Sequence, residues 1–221
     1  MDYSIKNKKI DLNKANVIGF GKNGNVYKYE NMVIKIFPKG KIPDGLIDGK
    51  VCRNLSNIST YVILLPLDSV LFKNKKFSGY NLKPLNNNKT KNIAKMDKSD
   101  LITCIEYIED DVLTLSNNGV LLDGILPENV IVSDKIYLSD PSKYSFVESN
   151  NGLYDFNSYQ VHLLLSKLVL SGLKKCDITT TELKQLKEKL LEKKDNESSS
   201  EFFNNLIGDN NNIYSYVKKR R

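Results

Sequence analysis

Three side chains suited to holding a metal-bound phosphate fall in one short stretch. "LLDGILPENVIVSDKIYLSDPS", Leu121 to Ser142, presents Asp123, then Asn129 inside "PEN", then Asp140 after a short apolar run. Asn129 and Asp140 offer the hard oxygen ligands that Mg²⁺ prefers. A carboxylate ahead of them suits an orienting base for a hydroxyl. Upstream, "GFGKNGNV" spaces Gly19, Gly21, Gly24 and Val26 as G-x-G-x-x-G-x-V. Glycines let a backbone turn approach phosphates without a Cβ in the way. A structural Gly/Asn turn is the plainer alternative. "VIKIF" sets Lys35 among Val33, Ile34, Ile36 and Phe37. By alternation Lys35 points to solvent; beside a glycine-rich hairpin it points inward, toward α- and β-phosphates.

The elements needed to position these groups can be read from periodicity. "NVIGFG", "GNVYKY" and "MVIKIF" are short β-rich runs broken by Gly and Asn, an antiparallel meander. The glycines are therefore followed by a strand, whereas the dinucleotide-binding fingerprint continues into a helix. "DGLIDGKVCRNLSN" predicts a helix bearing Leu46 or Ile47, Val51 and Leu55. "VILLPLDSVLF" and "KFSGYNL" predict two further strands. The polar "KPLNNNKTKN", Lys83 to Asn92, reads as a hinge dividing residues 1–85 from residues 86–221. After it, Leu101, Ile105, Ile108, Val112 and Leu115 form one helical stripe. "VIV" and "IYL" read as a hairpin. "DFNSYQVHLLLSKLVLSG" reads as an apolar helix ended by Gly172. "TTTELKQLKEKLLEKK", a Ser-rich loop and two short helical pieces complete the chain.

In that order the motifs resemble the protein kinase fold family. "IGFGKNGNVYK" is similar to its glycine-rich loop and "VIKIF" to the strand carrying the phosphate-pairing Lys. "GILPENVIV" is similar to the catalytic loop, and "YLSDPS" to the metal-binding loop. "LYDFNSYQVHLLLSKLV" looks like the central helix of the large lobe. The resemblance implies an α+β, protein-kinase-like two-lobe fold, with a β-rich N-lobe, a helical C-lobe and a minimal activation segment. It implies that Gly19, Gly21, Gly24 and Val26 cover the phosphates of ATP, that Lys35 pairs with α/β-phosphate oxygens, and that Asn129 and Asp140 hold Mg²⁺. Leu82 would line the adenine pocket in the cleft. Asp155 would brace the catalytic loop, and Asp48 is the acid best placed to pair with Lys35, a solvent-facing Asp48 being the alternative.

The departures bear on activity. Counting back from Asn129 in H-R-D-x-x-x-x-N lands on Gly124, so the expected His-Arg-Asp becomes Leu122-Asp123-Gly124. Leu126 falls where a Lys is expected. Asp123 serves as base only if the loop holds one extra residue, a kink Gly124 permits; otherwise no base exists. "DPS" replaces D-F-G, and Pro141 removes a backbone donor. Fourteen residues, "PSKYSFVESNNGLY", separate Asp140 from Asp155, too few for an ordinary peptide-docking segment. The expectation is slow phosphoryl transfer from MgATP to a Ser/Thr-type hydroxyl of a protein or small-molecule acceptor. Alternatives are a catalytically inactive pseudokinase acting as a nucleotide-binding interaction module, or a small-molecule phosphotransferase.

Bulk composition narrows the classes. The chain has 221 residues, 40% of them hydrophobic, enough for a core. The net charge of +7 favours anionic partners, the plainer alternative being a solvated Lys-rich surface. No basic–aromatic repeat supports nucleic acid among them. Cys52, Cys104 and Cys176 are scattered, which fits a reduced cytoplasm and gives neither a disulfide framework nor a zinc knuckle. His162 is the only histidine, excluding most His-based triads. "VHLLLSKLVL" is too short to span a bilayer, so no membrane insertion is expected.

Overall fold

The computed structural model describes residues 3–38, 42–73, 76–85 and 90–219. The chain is α+β, with antiparallel strands toward the N-terminus and helices toward the C-terminus. It forms two compact units. The first comprises Met1–Thr60, Leu64–Asn86 and Asp140–Phe146; the second comprises Tyr61–Ile63, Asn87–Ser139 and Val147–Arg221. The segment after Ser139 therefore belongs with the strands. Of the proposed hinge, residues 86–89 lie outside the described residues.

The first unit is built on a seven-stranded sheet. Its strands are β1 (Tyr3–Ile5), β2 (Lys8–Ile10), β3 (Asn16–Gly21), β4 (Gly24–Tyr29), β5 (Met32–Ile36), β6 (Asp68–Phe72) and β7 (Lys76–Leu82). The order is β2-β1-β6-β7-β5-β4-β3, and all neighbours are antiparallel. The hairpin β1–β2 is absent from the periodicity reading. It turns on Lys6 and Asn7 at φ 45° and 67°, the positive values a tight two-residue hairpin turn requires. Tyr3, Ile5 and Ile10 from this hairpin pack with Ile34, Ile36 and Val70, which closes one face of the sheet. Removing such side chains from water stabilises by roughly 1.5–3 kcal/mol each.

The run "VILLPLDSVLF" is a strand only from Asp68 to Phe72. Pro66 lacks the N–H a ladder needs, and the N–H groups of Tyr61, Val62 and Ile63 are committed to the buried carboxylate of Asp111. Helix α1 spans Gly49–Leu55, so Leu46 and Ile47 precede it rather than ride on it.

In the second unit, α2 (Lys98–Asn117) buries the stripe Leu101, Ile105, Ile108, Val112 and Leu115. A short strand β8 (Val120–Leu121) follows, then a 3-10 turn over Pro127–Asn129, then the hairpin β9 (Val130–Val132) and β10 (Ile136–Leu138). Helix α3 (Leu153–Leu173) packs on α2 and on α4 (Thr180–Leu190), while α5 (Ser199–Ile207) packs on α2; α6 (Ile213–Lys218) closes the chain. Gly172 lies inside α3 instead of ending it. A Cβ there would meet Asn92 Oδ1 at 2.3 Å, and the Asn92 amide donates to the Gly172 carbonyl at 2.9 Å. Close approach of that loop, rather than a helix stop, accounts for the glycine. Among the described residues no helix is long and apolar enough to cross a membrane.

Candidate functional site: a buried lysine–aspartate knot

β5 carries Lys35, and its register partners are Val26 on β4 and Tyr80 on β7. Lys35 is 6% exposed, so the side chain points inward and not to solvent. Its Nζ donates to Asp140 Oδ2 at 2.6 Å and to Ser142 Oγ at 3.1 Å. The other carboxylate oxygen, Asp140 Oδ1, accepts three hydrogen bonds. They come from Tyr80 Oη at 2.8 Å, Ser142 Oγ at 2.7 Å and Ser142 N–H at 3.2 Å. A further tie, Ile47 N–H to the Ser142 carbonyl at 2.8 Å, holds this segment in the first unit.

The electrostatics follow from that geometry. Burial pushes the Asp140 carboxyl up, but the adjacent Lys35 charge and the hydrogen bonds from Lys35, Ser142 and Tyr80 outweigh it, leaving its pKa below the ordinary value. Tyr80 moves the other way: burial, and the negative charge of Asp140 beside it, hold its pKa well above the usual value. Tyr80 is therefore a fixed donor at any physiological pH.

Asp48 does not pair with Lys35. Its side chain caps α1, accepting from the N–H groups of Lys50 and Val51 at 2.8 Å each. The acid that pairs with Lys35 is Asp140. Leu82 is buried in β7 opposite Val33.

The glycine hairpin is β3–β4, turning over Lys22 and Asn23. Its three glycines differ in kind. Gly24 has φ +124°, and a Cβ would strike the Ile36 carbonyl oxygen at 2.2 Å, so the strand pairing itself demands glycine. A Cβ on Gly19 would meet Val26 Cβ at 3.4 Å, and one on Gly21 would meet the Gly24 oxygen at 3.5 Å, both ordinary contacts. Local packing does not demand either.

In the second unit, Asp123 is exposed and Gly124 has φ +64°, a left-handed turn directly after it. The loop is braced from α3 by Asn157, not Asp155. Asn157 is fully buried: its Oδ1 accepts from Leu122 N–H at 2.9 Å, and its Nδ2 donates to Ser116 Oγ and to the Val120 carbonyl, each at 2.9 Å. Asp155 is exposed in the first turn of α3. The main chain of Asn129 is fixed by its N–H to the Leu126 carbonyl and by Ser139, whose N–H and Oγ donate to its carbonyl at 2.8 Å and 2.7 Å.

Tyr80, Ser142 and Asn157 are the residues the sequence reading misses. Ser142 had a signal: Asp followed two residues later by an N–H donor is a side-chain turn motif. Tyr80 needs the β5–β7 register and Asn157 the fold of the loop, which periodicity does not supply.

Mg²⁺ is the ion the family resemblance implies for Asp140. An ionised carboxylate offers about four lone-pair sites. Here one oxygen takes three donors and the other faces an ammonium at 2.6 Å. Among the described residues no three His, Cys, Asp or Glu side chains converge on a point. As arranged, Asp140 does not fit a divalent cation. Compared with known proteins, the chain matches no family model and shows no significant similarity to a curated protein.

Proposed function

We propose that the chain is a kinase-like nucleotide-binding module in which the β3–β4 hairpin and Lys35 hold the phosphates of ATP. The observation that carries this reading is the contrast among the three glycines. Gly24 is explained by the sheet, whereas Gly19 and Gly21 remain side-chain-free on a hairpin whose next strand pairs Val26 with Lys35. Glycine costs backbone entropy in a strand. Two that packing does not require are accounted for by something that must come close to the backbone, and a phosphate does so through N–H groups. The saturated Asp140 favours the module, a pseudokinase, over a fast phosphotransferase. A second reading, slow phosphoryl transfer to a hydroxyl with Asp123 as orienting base, draws on the exposed carboxylate and the left-handed Gly124 beside it.

The test is ATP binding by calorimetry and by thermal shift, since a ligand of the native state raises its melting temperature. Gly21→Ala is expected to fold as well as wild type, with stability changed by less than about 1 kcal/mol, and to lose about tenfold or more in ATP affinity. Gly24→Ala is expected to destabilise by about 3 kcal/mol through the clash with Ile36. Absence of ATP binding by the wild type in any buffer, or unchanged affinity in Gly21→Ala, refutes the assignment.

A further inference from the structure

The arrangement around Asp140 points beyond nucleotide binding to its form. We infer that the site takes a nucleoside polyphosphate free of divalent cation, with the Lys35 ammonium standing where a metal would sit. This rests on the nucleotide-binding reading above and specifies its ligand.

Three features of the first unit carry it. A metal shared between protein and phosphates would need an open lone pair on Asp140. Oδ1 is closed by Tyr80 Oη, Ser142 Oγ and Ser142 N–H, while on Oδ2 the Lys35 ammonium takes one lone pair and its charge repels a second cation from the other. Mg²⁺ binds at about 2.0–2.1 Å and is reluctant to give up water, so it competes poorly for an oxygen already held by a buried cation.

Lys35 is the second feature. An ammonium has three N–H donors. Among the described residues two are used, on Asp140 Oδ2 and Ser142 Oγ, which leaves one for a phosphate oxygen. The Ser142 hydroxyl donates to Asp140 while accepting from Lys35, so it fixes the rotamers of both. Lys35 is thus held ready while its charge is balanced, and the pair gains no net charge for a metal to offset.

The third is Lys22. It sits at the turn of the β3–β4 hairpin between Gly21 and Gly24 and is exposed. A cation at the tip of the loop that would cover the phosphates supplies neutralisation that Mg²⁺ otherwise gives. The chain as a whole, at +7, also favours a fully ionised, unchelated polyphosphate.

The experiment measures ATP affinity of the full chain in EDTA and in excess Mg²⁺, together with Mn²⁺ binding without nucleotide by paramagnetic broadening of water protons. The expected result is an affinity in EDTA equal to or tighter than that in Mg²⁺, and no bound Mn²⁺. Tyr80→Phe/Ser142→Ala removes two of the three donors on Oδ1 while keeping the ring and the backbone. It is expected to bind Mn²⁺ and to gain at least tenfold in ATP affinity on adding Mg²⁺. Lys22→Ala, an exposed change that leaves the fold alone, is expected to weaken ATP in EDTA more than in Mg²⁺. Wild-type ATP binding that needs Mg²⁺ overturns the inference and leaves the nucleotide-binding reading standing. No ATP binding in either buffer overturns both. A folded double variant still indifferent to Mg²⁺ and Mn²⁺ overturns the claim that donor saturation excludes the metal.

Discussion

Lys35→Met separates a structural from a purely ligand-facing lysine. The side chains of Lys35 and Asp140 are 8% and 18% exposed, so solvent screens the pair little. Removing one partner of a buried pair strands the other charge, at a cost of about 3–5 kcal/mol. Asp140 keeps its hydrogen bonds from Tyr80 and Ser142 in the mutant, which places the expected loss at the low end, about 3 kcal/mol. For a unit of this size that is a fall in melting temperature of roughly 12 °C or more. Asp140→Asn, which strands the ammonium, is expected to lose about 2–3 kcal/mol. The double mutant, with a neutral amide still accepting from Tyr80, is expected to recover at least about 2 kcal/mol relative to the sum. Urea unfolding of the four proteins gives the cycle. The pH dependence supplies an internal check. Because the folded pKa of Asp140 is depressed, its contribution is present above the unfolded carboxylate value and is lost as pH falls through the lower folded value. The gap between wild type and Asp140→Asn is therefore expected to hold from neutrality down to about pH 4 and to close below it. A Lys35→Met protein within about 0.5 kcal/mol of wild type, or an additive cycle, refutes the buried-pair argument.

Asn157→Ala removes one acceptor and two donors from a fully buried site and is expected to cost about 3 kcal/mol, with loss of hydrogen-exchange protection at Leu122, while Asp155→Ala is expected to change stability by less than about 0.5 kcal/mol. His162 has its pKa lowered by burial, so the unfolded chain takes up its proton first and stability is lost as pH falls below about 6.5. His162→Gln is expected to flatten the melting-temperature profile between about pH 5 and 7, and an unchanged slope would assign it to another group.

What could be read without coordinates depended on whether a signal was local. Four of the strands from Asn16 to Leu82 and the buried stripe of α2 followed from β-rich runs broken by Gly and Asn and from helical spacing, which act over a few residues; the fifth, in "VILLPLDSVLF", was read too long. The β1–β2 hairpin did not, because three-residue strands separated by Lys6 and Asn7 leave almost no periodic trace; only the sheet edge at β6 gives them a partner. Two acids were assigned by position in a motif and then used elsewhere: Asp48 as a helix cap and Asp155 as an exposed first-turn residue. Both positions favour Asp for local reasons, since carboxylates suit helix N-termini. A motif read by spacing alone cannot tell such an acid from one that faces a site.

The loop from Leu122 to Asn129 is a further case. Its backbone is held at both ends, by Asn157 at Leu122 and by Ser139 at Asn129. Gly124, at φ +64°, makes the turn between those anchors. An Asp placed at 124 would have to adopt the left-handed region, which a side chain with Cβ enters at a cost of about 1 kcal/mol or more. Restoring an acid at that position is therefore not a simple route to activity. The loop is built around a glycine there, and Asp123, one residue earlier and exposed, is the acid this backbone can present. If the chain transfers phosphate at all, the activity is expected to track Asp123→Asn rather than any substitution at Gly124, and measured turnover indifferent to Asp123 would leave the loop as scaffolding.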